Sequence, residues 1–257
     1  MDANIDNLDI VITATLRPEL IDLTLASFFK NLLKQFNAVR LIINIDPVGD
    51  HRCNAHDILS ISRRYAGNIV HRCPEEPSFS SAVKWCWEQV ETQFFLHLED
   101  DWLLKKPVSK EAVLGLFDQD CDIATVRFNR STNSDEEPVS SPCFSLNPSI
   151  MRKEFIDEAL PFFRCDLDPE KQFCILEGEK EEILSHWKFV CYGSANESSY
   201  VIDTGRRWRK FMNFGKWQHD SGDISWQRRQ MTHFRFAHYL RYKASIWYWI
   251  CRHHVLH

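Results

Sequence analysis

The stretch that decides the fold runs from Phe94 to Trp102 and reads FFLHLEDDW. Its first five residues are apolar except for one histidine, a pattern that fits a short strand buried on both faces, and three carboxylates follow without a spacer. Open parallel sheets bind their ligands at the carboxyl ends of the strands, so Glu99, Asp100 and Asp101 are expected at a crevice. Adjacent acids repel one another. A hard divalent cation, Mg²⁺ or Mn²⁺, shared with a diphosphate is the simplest compensation; a solvated acidic turn with an Asp capping a helix is the plain alternative.

Upstream, strand-like and helix-like segments alternate. Asp9 to Thr15 (DIVITAT) is a strand that ends at Leu16-Arg17-Pro18, and Glu19 to Leu33 carries apolar residues at helical spacing. Val39 to Ile45 is a second strand, ending at Asp46-Pro47. His56 to Tyr65 reads as a helix, Ile69-Val70 as a third strand and Ser80 to Thr92 as a helix leading into the acidic stretch. Repeated βα units predict an α/β fold with a mostly parallel sheet flanked by helices. Beyond Asp101 the pattern loosens. Helices are expected over 111–117, 151–159 (with Ser149 as N-cap) and 177–188, strands over 123–128, 144–146, 189–192 and 200–202, and a polar loop over 129–142.

The net charge of −5 hides an asymmetry: from Gly205 onward eleven Lys/Arg face two Asp, leaving 20 basic and 34 acidic residues before it. A basic segment that also holds Trp208, Trp217, Trp226, Trp247 and Trp249 suits an anionic surface, and residues 243–257 suit an amphipathic helix. No stretch reaches the roughly 20 apolar residues a membrane-spanning helix needs. Met1 to Asp9 lacks a cationic start and an apolar run, and the nine cysteines form no CxxC pair, so a cytoplasmic protein is expected. No GxSxG elbow, GxGxxG or phosphate-loop sequence is present, which argues against a serine hydrolase, a Rossmann dehydrogenase and a P-loop NTPase.

The first strand and its turn supply Thr13, Thr15 and Arg17, and Thr15, Arg17, Asp46, Asp100 and Asp101 should share one rim of the sheet. A carboxylate at a strand end accepts the N3–H of a uracil ring, while threonine hydroxyls and an arginine meet a base or its phosphates. For each of these positions a turn or ordinary strand propensity is the competing reading. His51-Arg52-Cys53 and His71-Arg72-Cys73 fit no common zinc spacing.

The runs DIVITATLRPELIDLTLASF, LIINIDPV, SSAVKWCWEQV and FFLHLEDDW resemble the nucleotide-sugar-binding half of GT-A fold glycosyltransferases, particularly family 2-like members, over about the first 105 residues. The resemblance implies a catalytic domain over 1–204, with a donor half (1–105) and an acceptor half (106–204), and a basic, aromatic extension over 205–257. It implies Thr13, Thr15 and Arg17 at the nucleoside base, Asp46 at the base edge, Lys84 near the ribose or phosphates, and Glu99, Asp100 and Asp101 as the metal and diphosphate motif, with Asp101 the first choice of metal ligand. Phe144-Ser145-Leu146-Asn147-Pro148-Ser149 looks like a floor for the acceptor. The Gly-Glu-Asp type motif of the family has its nearest counterpart in Leu176 to Glu182. Lys180 stands there in place of the usual acid, so Glu179 is the expected base and Glu177 the second choice. Arg206 or Arg207 is expected to meet the leaving diphosphate, and His186 or His219 to offer a third metal ligand.

The expected activity is therefore metal-dependent transfer of a sugar, with inversion, from a nucleotide-sugar donor, UDP-linked by preference. The hydroxyl acceptor is a glycan, a lipid-linked glycan or a modified nucleic-acid base. Peripheral contact with the inner face of a membrane through the C-terminal extension goes with it. The alternative is a GT-A-like protein without turnover that docks on an anionic polymer or membrane.

Overall fold

A computed structural model describes residues 6–130, 144–193, 198–212, 214–218, 224–228 and 240–248. Seven strands form one sheet: β1 (Asn7–Leu16), β2 (Ala38–Gly49), β3 (Asn68–Arg72), β4 (Phe94–Glu99), β6 (Ile123–Phe128), β7 (Ser149–Arg152) and β8 (Lys188–Tyr192), in the order β3-β2-β1-β4-β7-β6-β8. All neighbours run parallel except β7, which is antiparallel to both β4 and β6. Strand order reverses between β1 and β4, which makes their carboxyl ends the switch point where a sheet of this kind opens a crevice. Short strands β5 (Trp102–Leu104) and β9 (Val201–Asp203) pair antiparallel beside it.

Helices cover both faces, as parallel strands apolar on both sides require. On one face α1 (Pro18–Asn31), α2 (Ala55–Ser62) and α4 (Lys110–Gln119) bury Ile21, Leu25, Phe28, Ile58, Val113 and Phe117 against Ile10, Ile12, Ile43 and Leu96. On the other, α3 (Phe79–Glu88), α5 (Lys153–Ala159) and α6 (Glu179–Leu184) bury Val83, Trp87, Phe155, Ile156 and Leu184 against Val11, Ile42, Phe95 and Met151. Helix starts follow local chemistry. Pro18 opens α1 with its ring-fixed φ, an Asn54/Asp57 capping box opens α2, and Ser78 and Ser109 cap α3 and α4.

The α1 face carries a polar stripe as well. Thr24 Oγ1 donates to the Asp100 carbonyl (2.9 Å), Ser27 Oγ accepts from the Leu104 N–H (3.0 Å) and Asn31 Nδ2 donates to the Leu104 carbonyl (2.8 Å). These residues recur at helical spacing and pair the main chain that leaves β4, so the acidic stretch is fixed by a rail of buried hydrogen bonds.

Two expectations are corrected in the second half. Ser149 to Arg152 forms β7 rather than a helix start, and α5 begins at Lys153. Pairing on both sides to β4 and β6, with Ile150 facing one core and Met151 the other, outweighs the helical spacing. Phe144-Ser145-Leu146 is not a strand. Phe144 packs edge-on against Trp87 and Phe173, and Leu146 is buried beside it, so this segment is core. The polar loop lies mostly outside the described residues, as do 249–257 of the expected C-terminal helix, while 240–248 are helical.

Helix α7 (Gly205–Met212) and the 240–248 helix pack Trp208, Met212, Tyr242 and Ile246 onto Leu20 and Leu23 of α1 and Leu103 of β5. Among the described residues no helix is long and apolar enough to cross a membrane.

His97, at the centre of β4, is fully buried; its Nδ1 accepts from Trp87 Nε1 (3.4 Å), and its Nε2 has no hydrogen-bond partner among the described residues. Burial pushes its pKa down to about 3. Between that value and its ordinary range near 6.5 the unfolded chain binds a proton the folded chain refuses, so stability falls as pH is lowered through this window. From pH 6.5 to pH 4.5 this group alone is expected to remove about 2.3 kcal/mol. Urea unfolding of the wild type and His97→Gln at both pH values checks it: the variant should lose that much less.

Candidate active site

The carboxyl ends of β1 and β4 bring Thr15, Arg17, Asp100 and Asp101 together. Arg17, the residue before α1, is buried, and its guanidinium fork grips both acids: Nη2 donates to Asp100 Oδ1, Nε to Asp100 Oδ2 (3.3 Å) and Nη1 to Asp101 Oδ2 (2.9 Å). Burial opposes the charge of Arg17, but the two carboxylates more than offset it and raise its pKa further. The Thr15 N–H (3.0 Å) and Oγ1 (3.3 Å) also reach Asp100 Oδ2. Both oxygens of Asp100 are thus engaged within the chain. Arg17, expected at a base or its phosphates, instead supplies the counter-charge of the acidic motif.

Glu99 and Asp101 differ from Asp100. Asp101 Oδ1 and the whole Glu99 carboxylate have no hydrogen bond or ion pair among the described residues. The pKa of Glu99 is raised by burial and then by the charge of Asp101, with Asp100 and Asp203 adding to it and Arg17 opposing. Asp101 is likewise raised, by burial first, with Asp100 and Asp203 adding and Arg17 opposing. Four carboxylates therefore share a site whose one fully buried cation is already paired. A hard divalent cation fits this donor set, because it prefers carboxylate oxygen and would relieve the surplus negative charge.

Asp203 comes from the β5/β9 pairing, in register with Trp102, one residue from Asp101. Its Oδ1 accepts from the Gly205 (2.9 Å) and Arg206 (3.3 Å) N–H groups, and its Oδ2 lies 3.6 Å from Arg130 Nη2 and 3.5 Å from Arg206 Nε. Thr204 ties the two segments by donating from N (2.8 Å) and Oγ1 (2.7 Å) to the Asp101 carbonyl. Arg209 is half-buried with its pKa drawn down by burial while Asp101 and Asp203 pull it up, so it faces the same cluster. Sequence reading missed Asp203, Arg130 and Arg209, all brought in by non-local pairing. Arg206 is exposed near Asp203, and Arg207 lies over the Phe211 ring at 5.8 Å.

Across the α3 face of the sheet, Arg72, Asn44, Thr13 and Glu99 are successive register partners on β3, β2, β1 and β4. Thr13 Oγ1 is buried without a hydrogen-bond partner among the described residues. One step further along β2, Asp46 is buried and accepts from Asn44 Nδ2 at 2.7 Å; burial raises its pKa, while Asn44 and the Arg72 charge oppose. Lys84 lies half-buried on α3 beside Trp85. Glu177 and Glu179 are exposed at the start of α6. The carboxyl end of the sheet, where the acidic motif lies, is the end at which β4 and β6 both finish. His186 sits at the opposite end, next to Trp187, and His219 lies outside the described residues. The Asp120/Cys121/Asp122 group is also at that opposite end, and Lys188 Nζ pairs with both acids at 2.8 and 3.3 Å.

A mixed, mostly parallel sheet with one antiparallel strand after the switch point is the arrangement of the GT-A fold. Solved structures agree. TarS of S. aureus superposes with a TM-score of 0.51 at 16% identity, over 76% of this chain and 60% of that one. The mannosyltransferase PcManGT of Pyrobaculum calidifontis, in complex with GDP-Man and Mn²⁺, gives 0.53 at 12% identity over 93% and 69%. GalNAc-T7 with UDP, GalNAc and Mn²⁺ gives 0.51 at 12% identity over 76% and 43%. The chain thus spans less than two thirds of the length of TarS and of GalNAc-T7. No protein-family profile and no curated protein matches the sequence.

Proposed function

We propose that this protein transfers a sugar from a nucleoside-diphospho-sugar to a hydroxyl acceptor in a metal-dependent reaction. The observation that carries the reading is the unengaged oxygens at the switch point, the Glu99 carboxylate and Asp101 Oδ1, on either side of Asp100, both of whose oxygens are taken up by Arg17 and Thr15. The fold supports it, as do the ligands of the neighbours: UDP with TarS, GDP-Man and Mn²⁺ with PcManGT. Asp101 and Glu99 would hold Mn²⁺ or Mg²⁺, with Asp203 at hand as a third oxygen donor. The ion, when bound, neutralises charge that develops on the diphosphate.

This chain's own residues do the rest. Asp46, Thr13 and Thr15 receive the nucleoside, UDP-linked by preference, and Lys84 lies toward the ribose and phosphates. Arg206 and Arg209 face the diphosphate from α7, where cationic groups favour departure of the leaving oxygen. Glu179, or Glu177, accepts the proton of the acceptor hydroxyl as its oxygen bonds to the anomeric carbon. The carbon–oxygen bond to the phosphate breaks, its electron pair leaves with the diphosphate, and the configuration inverts.

A membrane-linked glycan is the acceptor class that one further observation favours. On the 240–248 helix Leu240, Ala244, Trp247 and Tyr248 are exposed at helical spacing, with Arg241 beside them, while Tyr242 and Ile246 face the core. Aromatic and basic residues on one helix surface suit contact with the inner face of an anionic membrane.

The test is thermal unfolding and donor hydrolysis with UDP-, GDP- and dTDP-sugars, with and without Mn²⁺. One donor at a hundred-fold excess over its Kd should raise Tm by about 5 °C, only with the metal, and Asp101→Asn with Glu99→Gln should abolish the shift. Neither stabilisation nor hydrolysis with any donor would overturn the reading.

A further inference from the structure

A chain of side chains runs beneath the nucleoside end of the crevice. The Arg72 guanidinium lies over the Trp85 ring at 5.3 Å, and its Nε donates to Asn44 Oδ1 at 2.7 Å. Asn44 is fully buried between β1 and β3, and its Nδ2 donates to Asp46 Oδ1 at 2.7 Å. Each link fixes the next. A cation on a ring face holds the guanidinium in place, and the guanidinium, a donor only, selects the carbonyl oxygen of Asn44. The amide must then present its NH₂ to Asp46. With Asn44 unable to flip, Asp46 Oδ1 always meets a donor. Together with the Ser78 N–H, a second donor to this carboxylate, the amide holds Asp46 in one orientation.

We propose that Trp85, Arg72 and Asn44 form a positioning relay that orients Asp46 as a fixed acceptor and thereby sets the choice of base. The inference rests on the proposed use of a nucleoside-diphospho-sugar and extends it to the class of base. Uracil, thymine and guanine present a ring N–H to such an acceptor. Cytosine and adenine present a ring nitrogen lone pair, which repels it. A site built around a buried acceptor rejects a ligand without the matching donor far more strongly than an apolar pocket rejects a small change in size.

The relay is separable from general stability because it predicts a ratio. Wild-type protein in Mn²⁺ should bind UDP at least about thirty-fold more tightly than CDP or N3-methyl-UDP by isothermal titration. Asn44→Asp keeps the shape but removes the NH₂ donor, and puts a second carboxylate against Asp46. It should bring the UDP preference to within about threefold, with UDP itself weakened. Arg72→Met keeps the stem on Trp85 and frees the Asn44 amide to flip, so the preference should shrink to about tenfold or less. Arg72 is only half-buried, so this variant remains informative should Asn44→Asp fail to fold.

Folded variants that bind all ligands more weakly while keeping the wild-type ratio would overturn the relay and leave the transferase reading intact. Wild-type protein that binds UDP and N3-methyl-UDP equally would do the same. Wild-type protein that binds no nucleoside diphosphate would overturn both.

Discussion

Replacing Arg17 by methionine is expected to destabilise the fold by about 3–5 kcal/mol, because it strips the counter-charge from two buried carboxylates while keeping most of the side-chain volume. Asp100 is 1% exposed and Asp101 6%, so water cannot solvate them in place of the guanidinium. The Thr15 N–H and hydroxyl remain on Asp100, whereas Asp101 Oδ2 would lose its ion-pair partner. Loss of the cation also removes what holds the Asp101 pKa down against burial, so this acid moves toward protonation, which limits the penalty. Arg17→Lys keeps one positive charge but cannot span two carboxylates with a planar fork, and should fall between the wild type and Arg17→Met. Adding Asp100→Asn to Arg17→Met should recover part of the loss, since it removes one of the unpaired charges. Urea unfolding of the four proteins gives the comparison. A loss under about 1 kcal/mol for Arg17→Met would mean that the two acids are neutral in the native state and that Arg17 is not their counter-charge.

That dual hold by Arg17 marks the limit of what the sequence discloses. The βα frame of the first hundred residues is legible because apolar strand runs and helical spacing are local signals, and each ends at a capping or turn residue that sequence also shows. The acidic motif is legible for the same reason: it directly follows one of those runs. What Arg17 does is not, since it depends on partners 83 and 84 residues away. The same holds for Asp203, which reaches the site only because β9 pairs with β5. Asn44 is a clearer case. Read locally it is a polar interruption in the strand LIINID, and only the parallel register of β2 with β3 supplies Arg72 beside it. Strand β7 escaped for a different reason, because its four residues look helical until two neighbouring strands claim their main-chain groups. Functional positions are where local reading fails most often, because their polar side chains contradict the patterns that specify strands and helices.

Gly205→Ala is expected to destabilise the protein by about 2–3 kcal/mol and to weaken metal-dependent nucleotide binding at least about tenfold, although alanine is ordinarily the better helix former. A Cβ at Gly205 would lie 1.9 Å from Asp101 Oδ2, 2.7 Å from its Cγ and 3.1 Å from Arg17 Nη1. Neither side yields cheaply. Asp101 Oδ2 is held by Arg17, and rotating it away breaks a buried ion pair. Moving α7 back instead strains the Thr204 bonds to the Asp101 carbonyl and pulls fully buried Trp208 and Met212 from their packing on α1. Glycine at the first position of α7 is therefore what lets the helix approach the carboxylate. Gly115 provides the control: it lies in α4 with nothing within 4 Å of a built Cβ, and Gly115→Ala should stabilise by about 0.5–1 kcal/mol. Opposite signs for two chemically identical changes, measured by urea unfolding, would tie the effect to Asp101. If Gly205→Ala stabilises the chain as Gly115→Ala does, α7 does not sit against the acidic motif, and with it goes the placement of Asp203 and Arg209 around the diphosphate.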